Sequence, residues 1–332
     1  MNKQVNNQRV LSGIQPSGKL HVGNYLGMLQ NAVALQNEYD ELYYAIVDLH
    51  SLSQDFDPQE KKKQILELAL DMLAAGIDPK KSIVFKQSDV LEHANLAIIL
   101  GNFVYMGELE RMTQFKDKAQ RQEKNINSGL FTYPVLQAAD ILIYKPTGVP
   151  VGEDQKQHIE LTRDLAKRFN NKFGETFPVP KGLYTKAPRV MSILDPTQKM
   201  SKSLGDNHCI YLSDSPDEIR KKISKAVTAT DTSSKEMPAG VKNLFLLLEN
   251  FGAAEEYKKF MAEYKSGSVQ YRELKETLAE AIIEFFGPFR EKRKELQKDQ
   301  KAIEQILAEG AQKARGVASA TLEEVKEKIG LK

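Results

Sequence analysis

Lys199 and Lys202 stand three residues apart in the run Lys199-Met200-Ser201-Lys202-Ser203. Two ammonium groups at that spacing on one loop can both reach a polyphosphate. Transfer at a phosphorus centre depends mainly on positioning and charge stabilisation. A lysine that meets the charge developing on a leaving pyrophosphate therefore lowers the barrier rather than merely tightening binding. Far upstream, Gly13-Ile14-Gln15-Pro16-Ser17-Gly18-Lys19-Leu20 follows an expected strand and precedes an expected helix. It fits G-x₄-G-K and so raises a P-loop NTPase or kinase. That site needs a Ser or Thr hydroxyl after the lysine to hold Mg²⁺, and Leu20 offers no ligand atom. The next four residues, His21-Val22-Gly23-Asn24, suit a nucleotide in another way. Gly23 allows close backbone approach, a helix N-terminus supplies N–H groups and a positive dipole end, and His21 and Asn24 are placed to donate hydrogen bonds. Against these readings stand plainer ones, a turn before a helix and a solvated linker with scattered lysines.

A second set of polar residues lies on one expected helix, Tyr133–Tyr144. Tyr133, Gln137, Asp140 and Tyr144 recur at offsets of four, three and four and so share one face. A polar stripe on an otherwise apolar helix is costly unless it meets partners or lines a cavity. Asp140 is then either a carboxylate satisfied by a neighbouring arginine or an acceptor for a ligand's N–H. In Gly152-Glu153-Asp154-Gln155, Gly152 permits close backbone approach, and Asp154 is an acceptor for ribose hydroxyls or a plain helix N-cap. His50 falls just beyond an expected strand, where an active-site loop belongs, or is a core histidine. His93, His158 and His208 share no ligand spacing, so no zinc site is expected.

The elements that must position these residues alternate in the first half. Strands are expected over Arg9–Ile14, Leu42–Val47, Ser82–Lys86 and Val149–Gly152, with helices over Gly23–Glu38 and from Asp57 to Ala75. Asp57 serves as N-cap, Pro58 fills the first turn and Gly76 is the stop. This alternation predicts an α/β fold, a Rossmann-like doubly wound parallel sheet. After Tyr211 only helices are expected. Ser215 opens one by a capping box and runs to about Val227, 228–238 is a loop, and Val241–Glu249, Val269–Phe286, Arg290–Glu309 and a last helix capped at Thr321 follow. The organisation expected is a catalytic domain over 1–195 and a helical region over 196–332, its last helix able to pack back on the first domain.

Composition sets the frame. The chain has 332 residues, 41% hydrophobic and 28% charged, ordinary values for a globular protein. Its net charge of +2 announces no general affinity for nucleic acid, so any basic surface is local. The single cysteine, Cys209, precludes an internal disulfide and suits a reducing compartment. With a polar N-terminus and no long apolar run, a cytoplasmic protein without membrane contact is expected.

His21-Val22-Gly23-Asn24 and Lys199–Ser203 together resemble the HIGH and KMSKS signatures of class I aminoacyl-tRNA synthetases. Gly107–Lys118 (GELERMTQFKDK), Val149–His158 (VPVGEDQKQH) and Gly13–Gly18 are similar to segments of the tryptophanyl-tRNA synthetase family in particular. The likeness spans about Arg9 to Tyr211. It implies activation of L-tryptophan by ATP with Mg²⁺, then transfer to tRNA(Trp), by a homodimer. It implies that Gln15, Pro16, Ser17, Gly23, Asn24, Gly152, Glu153, Asp154, Val190 and the run Lys199, Met200, Ser201, Lys202 and Ser203 bind ATP. His21, Lys199 and Lys202 would be catalytic, with Lys116 and Lys118 near phosphate. Asp140 would accept the indole N–H, while Tyr133, Gln137 and Gln155 complete the amino-acid pocket. The helical C-terminal region, for example Arg290–Lys301, would meet the tRNA anticodon arm. Tyr133-x₃-Gln137-x₂-Asp140 is also the stripe of tyrosyl-tRNA synthetases, and many tryptophan enzymes carry Met where Gln137 stands. The absence of tryptophan from the chain would suit an enzyme needed when tryptophan is scarce. A synthetase-like protein that binds but does not catalyse would have no need of both lysines.

Overall fold

A computed structural model of the chain describes residues 8–53, 55–116, 126–184, 188–228 and 237–332; Lys118 lies outside them. Five strands form one sheet: β1 (Arg9–Ile14), β2 (Glu41–Ile46), β3 (Ile83–Lys86), β4 (Gly148–Val151) and β5 (Lys181–Tyr184). All pair in parallel, in the order β3-β2-β1-β4-β5. β2 is buried along Leu42–Ile46, the continuous apolar run that a parallel sheet covered on both faces requires. β5 was not expected, because Lys-Gly-Leu-Tyr at a sheet edge has no buried residue. Strand order reverses at β1 and β4, and in such sheets ligands bind beyond the carboxyl ends of the strands at that reversal. Gln15–Ser17 leave β1 there, and Gly152–Asp154 leave β4.

Local signals set the helix ends. Asp57 accepts from the Glu60 N–H at 2.9 Å, Pro58 opens the helix Pro58–Ala74, and Gly76, at φ +109°, takes the left-handed exit that other residues resist. Ser215 and Glu218 form the expected capping box on Pro216–Ser224. The helix expected over Gly23–Glu38 is instead Val22–Asn24, a π-helical turn Tyr25–Leu29 and Gln30–Leu35; π turns recur at functional sites. Toward the C-terminus, Ala254–Ser266 is a further helix. The run expected over Arg290–Glu309 breaks after Gly287–Leu296, and Asp299 caps a new helix, Gln300–Lys328. Thr321 lies buried inside that helix rather than capping one.

The chain forms two compact units, each discontinuous in sequence. Unit 1 comprises Met1–Gly18, Asn31–Lys186 and Asp299–Lys332, and unit 2 comprises Lys19–Gln30 and Ala187–Lys298. All five strands belong to unit 1. Lys19–Gln30 joins unit 2 through Tyr25, whose ring meets Phe285 and Phe286 edge-on at 5.5 and 5.0 Å, close enough for favourable edge-to-face packing. In unit 1, Ala311, Ala314, Ala318, Leu322 and Val325 of the C-terminal helix enter the core with Phe85 and Tyr144.

That helix approaches β3 backbone to backbone. A Cβ at Gly310 would lie 1.9 Å from the Val84 carbonyl oxygen, so only glycine fits. Gly310→Ala must push the helix off the sheet, and overpacking of this kind costs about 1–3 kcal/mol. The urea midpoint of the variant should fall accordingly; an unchanged midpoint would show that the helix is not seated as described. Among the described residues, no helix is long and apolar enough to cross a membrane.

Candidate active site

In unit 2, the expected phosphate-handling residues are held by a short hairpin and a second chain pairing. Ser192 N–H donates to the Gln198 carbonyl at 2.9 Å and Met200 N–H to the Val190 carbonyl at 3.0 Å, which pairs Met191 with Lys199. Met200 is buried and anchors the run. Lys199 and Ser203 are exposed, while Ser201 and Lys202 are half-buried, and Lys202–Leu204 forms one 3₁₀ turn. Beyond this turn, Val22 N–H donates to the Ile210 carbonyl and Leu212 N–H to the Leu20 carbonyl, both at 2.9 Å. The chain after the lysine run is thereby zipped to the His21 segment.

His21 caps the following helix reciprocally with Asn24. Its Nδ1 accepts from the Asn24 N–H at 3.3 Å, and its own N–H donates to Asn24 Oδ1 at 3.0 Å. Burial, with help from Lys202 and then Lys199, lowers its pKa from 6.5 to about 4. The imidazole is therefore neutral near pH 7. With Nδ1 accepting, the proton sits on Nε2, so His21 is a one-proton donor, and Asn24 retains its Nδ2 amide protons as donors. A Cβ on Gly23 would stand 3.0 Å from His21 Nδ1 and 3.5 Å from Val190 Cβ, so a side chain there would press on the imidazole.

The sign of the pH effect follows. The unfolded imidazole takes up its proton near 6.5 and the folded one only near 4, so the unfolded chain binds more protons in that window. The stability this group contributes is complete above the unfolded value and is lost as pH falls through the folded one. Removing Lys202 should raise the His21 midpoint, read by imidazole NMR in Lys202→Ala. An unmoved midpoint would mean that the Lys202 charge does not reach His21.

In unit 1, the residues expected to recognise the amino acid converge on the helix Ser128–Leu142. Asp140 is buried, and among the described residues its partners are an amide and two imidazoles rather than an arginine. Oδ1 accepts from Gln87 Nε2 at 2.7 Å and His93 Nδ1 at 2.6 Å, and Oδ2 from His50 Nε2 at 2.7 Å. His93 Nε2 then accepts from the Tyr144 hydroxyl at 2.7 Å. Burial alone would raise the Asp140 pKa, but His50 and His93 outweigh it and hold the carboxyl far below the usual range. Asp140 is an ionised acceptor at any physiological pH.

The rest of the stripe is linked too. The Tyr133 hydroxyl meets His158 Nε2 at 2.9 Å, with the His50 ring edge-on to Tyr133 at 6.3 Å. Gln137 Nε2 donates to Gln155 Oε1 at 3.2 Å, and Asp154 Oδ2 accepts from Gln155 Nε2 at 2.8 Å and Gln114 Nε2 at 3.2 Å. Asp154 makes no side-chain cap on the helix Lys156–Phe173. It sits with Glu153 in an exposed 3₁₀ turn. Gln15 is half-buried, Pro16 buried and Ser17 exposed. Gly18, at φ +96°, ends the unit-1 stretch, so the loop read as Gln15–Asn24 divides between the two units. Lys116 follows Met112, its N–H donating to the Met112 carbonyl at 3.2 Å.

Gln87 and His93 were not foreseen as members of this cluster. His93 carried a signal: a polar ring in the first turn of Glu92–Gly101, an otherwise largely apolar helix, must find a buried partner. Gln87 carried none, because its role depends on where β3 ends.

Residues 3–287 match the family model of class I tRNA synthetases for W and Y. The chain belongs to this family. It is similar to the tryptophan–tRNA ligase of Wolinella succinogenes, 47% identical over 98% of this chain and 99% of that one. Among solved structures it resembles the tryptophanyl-tRNA synthetase of Campylobacter jejuni complexed with ADP and tryptophan, with a TM-score of 0.85 and 36% identity over 97% of this chain and 100% of that one. The Mycoplasma pneumoniae tryptophanyl-tRNA synthetase is similar at a TM-score of 0.83 and 38% identity over 98% of each chain.

Proposed function

We propose that the chain is a tryptophan–tRNA ligase. The α-carboxylate of L-tryptophan attacks the α-phosphorus of ATP in line, pyrophosphate leaves, and the tryptophanyl group of the adenylate passes to the 3′-terminal ribose of tRNA(Trp). No side chain need be the nucleophile. The observation that carries the reading is Asp140. Its two oxygens have about four acceptor positions, and the described residues fill three. One position on Oδ2 remains for an indole N–H. A buried acceptor left unmatched by a substrate without the donor penalises that substrate heavily.

The other roles follow the resemblance. Tyr133, Gln137 and Gln155 surround the amino acid. Gln15–Ser17, Gly152–Asp154, Gly23, Asn24 and Val190 hold the nucleotide. His21, as a neutral donor, and Lys199 and Lys202, as cations, act on the phosphates with Met200, Ser201 and Ser203 as their frame. Lys116 adds a further cation. The phosphate-facing side chains are amines, hydroxyls and an imidazole, so Mg²⁺ is proposed to arrive as MgATP, held by phosphate oxygens, the usual arrangement for this cation.

For tRNA, unit 2 lines one groove with Arg220, Lys221, Arg272 and Lys275 beside Glu276 and Glu280, a local surplus of positive charge suited to phosphate. Lys292 and Lys294 pair with Glu295 and Glu291 on their own helix, as Arg220 and Arg272 pair with Glu280 and Glu276, so pairing does not separate Arg290–Lys301 from the groove. A homodimer is proposed on the exposure of Leu91, Ile98, Tyr105 and Met106, each at least 65% accessible, since large exposed apolar side chains grouped along one stretch mark an interaction surface. The cytoplasm is the proposed compartment, in keeping with the buried free thiol of Cys209.

A phenol O–H could also reach Asp140, and Gln137 keeps tyrosine as a second reading. ATP–pyrophosphate exchange across the twenty amino acids separates them. Exchange is expected with tryptophan. Exchange with tyrosine instead would overturn the substrate while leaving the class intact.

A further inference from the structure

The hairpin that leads into Lys199 has an outer edge. In the pair Met191–Lys199, the ladder bonds run from the flanking residues, Ser192 to Gln198 and Met200 to Val190. Met191's own N–H and C=O therefore point away from Lys199. Left buried without partners, two such groups are costly. Both end on one side chain. Met191 N–H donates to Asn243 Oδ1 at 2.9 Å, and Asn243 Nδ2 donates to the Met191 carbonyl at 2.9 Å. Asn243 is 4% exposed and lies within the helix Ala239–Phe251, flanked by buried Val241, Leu244, Leu247 and Leu248.

That helix is itself seated at a fixed depth. A Cβ at Gly240 would fall 2.1 Å from the Val227 carbonyl oxygen, and Val227 N–H donates to the Ile193 carbonyl at 2.8 Å, two residues from Met191. The same strand is thus held at Met191 by the carboxamide and at Ile193 by the chain against which the helix rests.

We infer that Asn243 is a positioning residue for the reaction: its carboxamide, acting as a one-residue strand partner, fixes Met191 and through it Val190 and Lys199. This rests on the proposed activity. Asn243 is buried with both its amide atoms bonded to Met191, so it acts through the chain it holds. Its effect reaches the phosphates only through the hairpin, where a displacement of about 1 Å can cost roughly a hundredfold in rate.

Three variants test it: Asn243→Ala, Asn243→Asp, and Asn250→Ala as a control, since the Asn250 amide bonds within its own helix, to the Leu246 carbonyl. In tryptophan-dependent ATP–pyrophosphate exchange, Asn243→Ala should lose roughly ten- to a hundredfold in kcat, with the KM for tryptophan within about twofold of the parent. Asn243→Asp turns a carboxylate oxygen toward the Met191 carbonyl. It should be impaired at neutral pH and gain relative to the parent as pH falls, because a protonated carboxyl can again donate one bond and accept the other. Amide hydrogen exchange of residues 190–200 should quicken in both Asn243 variants and not in Asn250→Ala. An unchanged kcat, or a parallel change in kcat and tryptophan KM, would overturn the inference in Asn243→Ala. An Asp variant that tracks the parent pH profile would overturn it even if the Ala variant does not fold. If the parent itself shows no exchange with tryptophan, the proposed activity fails, and hydrogen exchange alone decides whether the clamp exists.

Discussion

Replacing Lys202 by alanine should slow tryptophan activation roughly a hundred- to a thousandfold, the usual loss when one preorganised electrostatic partner of a developing charge is removed. The charge that leaves on pyrophosphate appears only as the α-phosphoryl bond breaks. A cation that meets it acts on the transition state more than on bound substrates. The expected signature is a fall in kcat with little change in affinity for tryptophan, whose proposed recognition residues belong to unit 1, while Lys202 belongs to unit 2. The chain's own composition makes the measurement clean. It contains no tryptophan, so indole fluorescence reports the ligand without background. An undiminished exchange rate in Lys202→Ala would remove the lysine run from the chemistry and favour a protein that binds without catalysing.

Asp140→Asn should weaken tryptophan binding roughly ten- to a hundredfold, the loss of one hydrogen bond to a charged acceptor, and it should also lower stability. The carboxylate faces N–H donors on both oxygens, Gln87 and His93 at Oδ1 and His50 at Oδ2. An amide nitrogen in place of Oδ1 would confront the Gln87 and His93 donors, and one in place of Oδ2 would force His50 into the other tautomer so that its Nε2 accepts. His93 is further fixed by Tyr144, which is stacked on Tyr43 at 4.6 Å, so the strain is not easily relieved. Calorimetric melting with and without tryptophan checks both parts. A variant that binds tryptophan as the parent does would mean that the fourth acceptor position is not the indole's.

Much of this was legible in the residues. The five-residue lysine run, the capping signals at Asp57 and Ser215, and the β-rich runs of β1 to β4 carry their meaning locally. The polar stripe from Tyr133 to Asp140 was legible because helical spacing alone puts its members on one face. What supports Asp140 was less so. His50, Gln87 and His93 come from three separate segments, and only the folded sheet brings them to one carboxylate. β5 escaped notice because an exposed edge strand needs no apolar pattern. The course of the chain between units was hidden for a similar reason. Nothing local in Lys19–Gln30 declares that Tyr25 packs among phenylalanines far along the chain.

The threading of the two units has a consequence for biosynthesis. Chains fold as they emerge, N-terminal parts first, at roughly 5–20 residues per second. Unit 1 cannot complete itself in that order. Its sheet is made of residues 9–184, but the helix whose Gly310 lies against Val84 and whose alanines enter the core is translated after all of them. Until Gln300–Lys328 clears the ribosome, the face of β3 that this helix covers stays open. That helix therefore works as a closing latch, and a nascent or prematurely ended chain lacking it exposes apolar sheet for chaperones and proteases to find.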